Sequence, residues 1–299
     1  MPKMEIEITE VEPDDTLKAD IAYLLKGALS HPKDLSWLEW KHEQSPFGKS
    51  KFFLAHANGQ LVGVRIFMPW QFHGPSGEKV TFWRPVDTAT HVDFRGQGIF
   101  KKLTLHGLKV LFPDQDFRIF NTPNSNSLPG YLKMGWKLYP YDYPYYYGFG
   151  FFGKSKQELF YGKKLDEVEF FPVHEYSAKD YETAKSKQFL SWRYGASQYR
   201  FSGFMDGSAL LVYTKAAKLG RPVVLVKDYF GPVALKPSLI KSTCAAEGCQ
   251  VFHMVQNKHE KSITGLKYQK GNSDVAVLIK PESQGFQFFF SAGDLEGVM

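Results

Sequence analysis

The sequence predicts a mixed α/β fold, a twisted mixed sheet flanked by helices, and predicts it twice in one chain of 299 residues. Three observations carry this expectation. Two strand patterns meet at Asn58-Gly59, a strong two-residue hairpin signal. A strand pattern ending near Val92 runs into Arg95-Gly-Gln-Gly98 and then into a helical pattern. Finally, Phe189-Leu-Ser-Trp-Arg-Tyr194 echoes Leu35-Ser-Trp-Leu-Glu-Trp-Lys41, and each is followed by polar turn residues and strands. The expected domains are residues 1–150 and 165–299.

Taken in order, Glu5 to Ile8 alternates as a first strand, and Asp14 or Asp15 caps a helix carrying Ile21, Leu24, Leu25 and Leu29. A second helix restarts at His31-Pro-Lys-Asp34. Lys51 to Ala57 and Leu61 to Trp70 are the hairpin strands. Lys79 to Val92 is a longer strand interrupted at Pro85, where a ladder hydrogen bond must be missing. A helix follows from about Gln97 to Leu111, then a short strand from Phe117, a short helix over Ser125 to Lys133, and a strand region from Trp136 to Tyr147. Strands met early in hairpins predict a mixed rather than a purely parallel sheet. In the second half, Ala209 to Lys215 and Pro222 to Asp228 repeat the hairpin plan. Pro237 to Glu247 reads as a helix, and Gln250 to Val255 and Phe286 to Ser291 as strands. The crowded aromatics between Tyr139 and Phe152 are either packing residues or an aromatic wall for an acceptor.

Composition limits the function classes. Apolar content of 43% and aromatic content of 16% allow a sizeable core, and 23% charged residues exclude a disordered chain. The formal charge of +6 suits an anionic ligand, but no run of five or six like charges marks a dedicated nucleic-acid site. The two cysteines, Cys244 and Cys249, are too sparse for a disulfide framework or a zinc site. No metal spacing is seen among His174, His253 and His259. With no signal core and no membrane-length apolar run, the sequence reads as a soluble, cytoplasmic protein.

Arg95-Gly-Gln-Gly-Ile-Phe100 carries the first chemical signal. Glycines permit positive φ and close backbone approach, and the helix beyond offers free N–H groups and the positive end of its dipole. Arg95, Lys101 and Lys102 add positive charge. Two readings fit this loop, a pyrophosphate site and a tight strand-to-helix turn with no ligand. A Rossmann fingerprint and a Walker motif are both absent. The second signal is Asn124, with Ser127 three residues on, Tyr131 seven on, and then Lys133-Met-Gly-Trp136.

Together the two segments resemble the GNAT N-acetyltransferase superfamily over about residues 1–145, and the echo in 165–299 is similar to tandem GNAT-like arrangements. Arg95 and Gly98 match the acyl-CoA-binding pattern Q/R-x-x-G-x-G/A, whereas Phe100 stands where Gly or Ala is usual. The resemblance implies acetyl-CoA as co-substrate and no metal. The backbone of Gly96, Gln97, Gly98, Ile99, Phe100 and Lys101 would hold the pyrophosphate. Ala89 and Thr90 would pair with the pantetheine arm, a strand-end N–H would face the thioester oxygen, and Asn124 would contact the arm. Tyr131 would protonate the departing thiolate. Asp87 and His91, which strict alternation places on one strand face, are both candidates for the base.

The expected reaction is direct acyl transfer to a small-molecule primary amine in a ternary complex. The second unit would be a degenerate copy that completes the acceptor pocket or mediates association, and homodimerisation stays open. A Fem-type aminoacyltransferase and a non-catalytic acyl-CoA-binding module remain as alternatives.

Overall fold

The computed structural model describes residues 5–27, 34–139, 145–149, 157–218, 220–255, 277–278 and 287–295. The chain divides into two compact units: Met1–Gln71, Val80–Leu138 and Ala276–Gly285 in one, and Phe72–Lys79, Tyr139–Val275 and Phe286–Met299 in the other.

The first unit begins with β1 (Glu7–Val11), α1 (Asp15–Lys26) and α2 (Leu35–His42). Asp14 and Asp34 cap the two helices, their carboxylates accepting from the N–H groups of Leu17 and Trp37 at 2.8 Å each. Strands β2 (Lys51–Ala57) and β3 (Gln60–His73) form an antiparallel hairpin. At its tip Asn58 and Gly59 take φ values of 50° and 80°, as a primed turn requires. β1 pairs antiparallel with β2, and β4 (Lys79–Thr90) pairs with β3.

This sheet is covered on both faces, which is why its strands read as nearly continuous apolar runs. Phe52, Leu54, Val64 and Ile66 face the core with α1 and α2, whereas Phe53, Ala55 and Phe67 face the core with α3 (Ile99–Leu111). α3 presents Ile99, Leu103 and Leu108 to the sheet, one stripe of a 3.6-residue period. β5 (Phe120–Asn121), α4 (Leu128–Lys133) and β6 (Lys137–Leu138) follow.

The second unit holds a six-stranded mixed sheet. It contains β7 (Tyr145–Phe149), β8 (Leu159–Lys163), β10 (Arg200–Phe204), β11 (Leu210–Lys218), β12 (Arg221–Phe230) and β13 (Val251–Val255), in the order β7-β13-β12-β11-β10-β8. Between β8 and β10 lie β9 (Tyr181–Thr183) and α5 (Lys187–Tyr194), and β9 pairs with Phe72–His73 at the end of β3. α6 (Lys236–Ala246) connects β12 to β13 as a parallel crossover and packs Leu239, Ile240 and Cys244 on the sheet. β14 (Val277–Leu278) belongs to the first unit, where it pairs antiparallel with β5 and β6. β15 (Phe288–Phe289) and α7 (Ala292–Leu295) close the second unit.

The plan of a helix, a hairpin and a parallel crossover recurs in both units. α5 stands where the echo of α2 was expected, and the β12–α6–β13 crossover repeats a parallel link between Trp83 of β4 and Ile119.

Three sequence expectations change. The strand region from Trp136 to Tyr147 is two strands, β6 and β7, in different sheets. β4 runs through Pro85 as one strand from Lys79 to Thr90, and its irregular point is Asp87, whose φ is +34°. Asp294, expected on the surface or in a cleft, is 1% exposed; its carboxylate accepts from the Thr183 hydroxyl at 2.8 Å and the Ser291 N–H at 2.8 Å. Leu29, the helix start at His31 to Lys33, Tyr141, Tyr143, Phe151, Phe152, His259 and Glu296 lie outside the described residues. Of the remaining aromatics, Tyr139 is buried with its hydroxyl accepting from Phe288 N–H, and the Tyr147 ring lies 4.7 Å from that of His253.

Candidate active site

The glycine loop joins β4 to α3. Gly96 and Gly98 take φ values of 79° and 74°, a region where a Cβ strains the backbone, and a Cβ built on either meets nothing within 4 Å. The loop is therefore shaped by backbone conformation, not by packing, and its glycines leave open space above it. Gly98 is the N-cap of α3 and offers no side-chain acceptor. The first N–H groups of a thirteen-residue helix thus point outward without a protein cap. Arg95, Lys101 and Lys102 are exposed around them. This arrangement suits a phosphate-bearing group.

β4 supplies the second feature. It meets β5's segment through an isolated parallel bridge between Trp83 and Ile119, with Trp83 N–H donating to Arg118 O at 2.8 Å. Beyond that bridge no pairing of β4 with β5 occurs among the described residues, and β5 turns to β14 instead. From Val86 to Thr90 no strand among the described residues pairs with that edge of β4. Such an edge accepts an extended chain carrying amide groups. Ala89 is 4% exposed and Thr90 half-buried at the end of this edge.

Asn124 lies before α4. Its side-chain oxygen accepts from Asn126 N–H at 3.1 Å and Ser127 N–H at 2.9 Å, which fixes the turn leading into the helix. Ser127 is the α4 N-cap and its hydroxyl donates to Asn124 O at 3.4 Å.

Tyr131 is 2% exposed. Its ring lies 5.4 Å from Phe100 and 4.4 Å from Trp136, and its hydroxyl accepts from the Arg65 guanidinium. Phe100, the residue that departs from the family pattern, has a local reason for its size. Its ring fills the space above Gly130, where a Cβ would stand 2.9 Å from the Phe100 Cε1.

The shared face expected for Asp87 and His91 is not found, because the positive φ at Asp87 breaks the alternation. The Asp87 carboxylate is 9% exposed and lies 2.6 Å from Lys41 Nζ and 3.3 Å from His42 Nε2. Burial pushes its pKa up, but the Lys41 charge and then His42 outweigh this and hold it far below the usual carboxylate range. A carboxylate so stabilised is a weak base. His42 is itself buried, which lowers its pKa, and its Nδ1 lies 2.9 Å from Ser50 Oγ. His91 instead caps the short turn Val92–Phe94 from the end of β4, and its side chain is 30% exposed.

Sequence reasoning missed Arg65, Lys41 and His42. The signal for Arg65 was present: one charged residue stands in the apolar run Leu61–Trp70, and arginine is rarely fully buried without a partner.

The second unit has a different polar centre. Lys185 Nζ bridges Glu182 Oε1 at 3.0 Å and Asp228 Oδ1 at 2.8 Å, and Glu182 also meets His174 Nε2 at 2.8 Å. Burial raises the Glu182 pKa, but Lys185 and His174 more than offset this and leave it at about 2. The network borders a cavity of about 280 Å³ together with Tyr229 and Phe289. Its charges answer one another. No glycine-rich helix start with an Arg-Gly-x-Gly pattern accompanies it; Asp228-Tyr-Phe-Gly231 occupies the corresponding junction.

Residues 13–139 match the family model described as an acetyltransferase (GNAT) domain. No curated protein matches the chain significantly. Among solved structures, the chain is similar to a protein of unknown function from Enterococcus faecalis V583, described as a probable N-acyltransferase, at TM-score 0.67 and 11% identity over 91% of this chain and 71% of that one. It is similar to a GCN5-related N-acetyltransferase from Anabaena variabilis at TM-score 0.67 and 10% identity, covering 91% and 72%. It is also similar to Eis1 from Mycobacterium abscessus at TM-score 0.65 and 10% identity, again covering 91% and 72%. At these identities the likeness establishes a shared fold. No helix among the described residues is long and apolar enough to cross a membrane.

Proposed function

We propose that residues 13–139, a GNAT acetyltransferase domain, transfer an acetyl group from acetyl-CoA to the primary amine of a small molecule within a ternary complex. The observation that carries this reading is the uncapped start of α3 beside the edge of β4, with which no described strand pairs from Val86 to Thr90. The N–H groups of 96–101 bind the pyrophosphate. The β4 edge near Ala89 and Thr90 hydrogen-bonds the pantetheine amides as an added strand would, and the amide of Asn124 meets the same arm. An N–H at the end of that edge faces the thioester oxygen and stabilises the charge it gains during attack.

Tyr131 donates its proton to the departing sulfur. His91, half-buried at the strand end, receives the proton of the attacking amine directly or through water. Asp87 is assigned to position Lys41 and His42, not to take that proton. The second unit, with its answered charges and no glycine loop, is a copy without a CoA site.

Release of free CoA thiol, measured against a panel of amino sugars, polyamines and peptide amines, tests the reading. Turnover on at least one amine, and its loss in Tyr131→Phe with acetyl-CoA affinity kept, is the expected result. Tight acetyl-CoA binding with no turnover on any amine would instead identify a binding module.

A further inference from the structure

Arg65 is the least expected side chain in the first unit. It lies on β3 and is 1% exposed. Its guanidinium carbon sits 5.4 Å from the Phe67 ring and 5.3 Å from those of Phe100 and Tyr131, a box of three aromatic rings. No carboxylate forms an ion pair with it among the described residues. Its Nε is buried without a hydrogen-bond partner, while Nη2 donates to the Tyr131 hydroxyl. A buried cation without a counter-charge is unfavourable, so a stability role alone explains it poorly.

The contact has a directional consequence. A phenol oxygen carries one O–H and two acceptor lone pairs, whereas a guanidinium donates and never accepts. Arg65 therefore occupies an acceptor site of Tyr131 and cannot take its proton. Among the described residues no protein acceptor takes it either. The Tyr131 proton is left available, and the oxygen that would lose it is held beside a fixed positive charge.

We propose that Arg65 is a positioning residue for acyl transfer, directing the Tyr131 proton away from itself and holding the charge that develops on the phenol oxygen. This rests on the acyl-transfer reading above. As the new C–N bond forms and the C–S bond breaks, the sulfur takes the Tyr131 proton. The phenolate stays paired with Arg65 until the proton lost by the attacking amine restores it through solvent. Phe100 belongs to the same device: its ring closes the box over the guanidinium and limits water beside it.

The test compares Arg65→Met and Arg65→Lys in the full chain, each with and without Tyr131→Phe, reading kcat, KM and acetyl-CoA affinity. Arg65→Met should lower kcat about tenfold or more with acetyl-CoA affinity unchanged, the pattern for an interaction made in the transition state. Arg65→Lys should recover part of that loss, since it keeps the charge but not the fork. In the Tyr131→Phe background, Arg65→Met should change kcat by less than about twofold. An equal loss in both backgrounds, or an unchanged kcat in Arg65→Met, would overturn the inference alone. Full turnover in Tyr131→Phe would overturn the underlying reading and the inference with it. Arg65→Gln carries the same comparison if the methionine variant does not fold.

Discussion

Replacing Asp87 by Asn separates a structural carboxylate from a catalytic base. Lys41 Nζ and Asp87 Oδ2 are 2.6 Å apart, with side chains 4% and 9% exposed, so neither group regains much water when the other is removed. Breaking a buried pair from one side costs about 3–5 kcal/mol, because the remaining charge stays desolvated. For a domain of this size that corresponds to a fall in Tm on the order of 10 °C. Adding Lys41→Met removes the leftover charge and should recover most of the loss, since an apolar replacement of a buried pair is often neutral. Thermal melts followed by near-UV circular dichroism give the Tm, and kcat is read well below it. The expected outcome is a large drop in Tm, restored in the double variant, with kcat of the folded single variant changed only modestly. An unchanged Tm together with a collapse in kcat would refute the ion-pair account and return Asp87 to the role of base.

Further outcomes follow from the same geometry. His42 is buried with a lowered pKa, so its neutral form is favoured in the fold; its contribution is complete above about pH 6.5 and is lost as pH falls below that. Asp87, held low by Lys41 and His42 against its burial, adds a second loss that begins only below about pH 4. Urea midpoints measured from pH 8 to 3.5 should therefore decline from the histidine range downward, and His42→Gln should flatten the upper part of that decline. Gly130→Ala should cost about 1–3 kcal/mol by driving a Cβ into the Phe100 ring, and should cost almost nothing in a Phe100→Ala background; equal costs in both would refute the packing of that ring. Gly98→Ala, at φ +74°, should cost about 1–2 kcal/mol of stability and weaken acetyl-CoA binding at least about tenfold; unchanged affinity would show that the loop does not hold the pyrophosphate.

Local chemistry made much of the first unit legible. Asn58-Gly59 specifies a primed turn, Asp14 and Asp34 are short-range caps, and Gly96 and Gly98 sit where a strand must turn into α3. Ser-Trp recurs in α2 of the first unit and α5 of the second. What escaped was set by distant partners. Asp87 is defined by Lys41, far back along the chain, and no alternation rule anticipates a positive φ inside β4. Tyr131 was found from its spacing to Asn124, but the side chain that grips its hydroxyl comes from the middle of β3. Phe100 looked like a mismatch to a short pattern and is instead complementary to Gly130 on another helix. The split between β6 and β7 is signalled in the sequence by Pro140 and Pro144, which the dense aromatics around them mask.

Calorimetric titration of the full chain with acetyl-CoA and with desulfo-CoA tests the central claim most directly. The account predicts saturable binding of both at one site per chain, because the loop and the β4 edge hold the parts of the cofactor remote from sulfur and the second unit lacks a loop. Absence of binding at millimolar concentration, or two equivalent sites per chain, would contradict it.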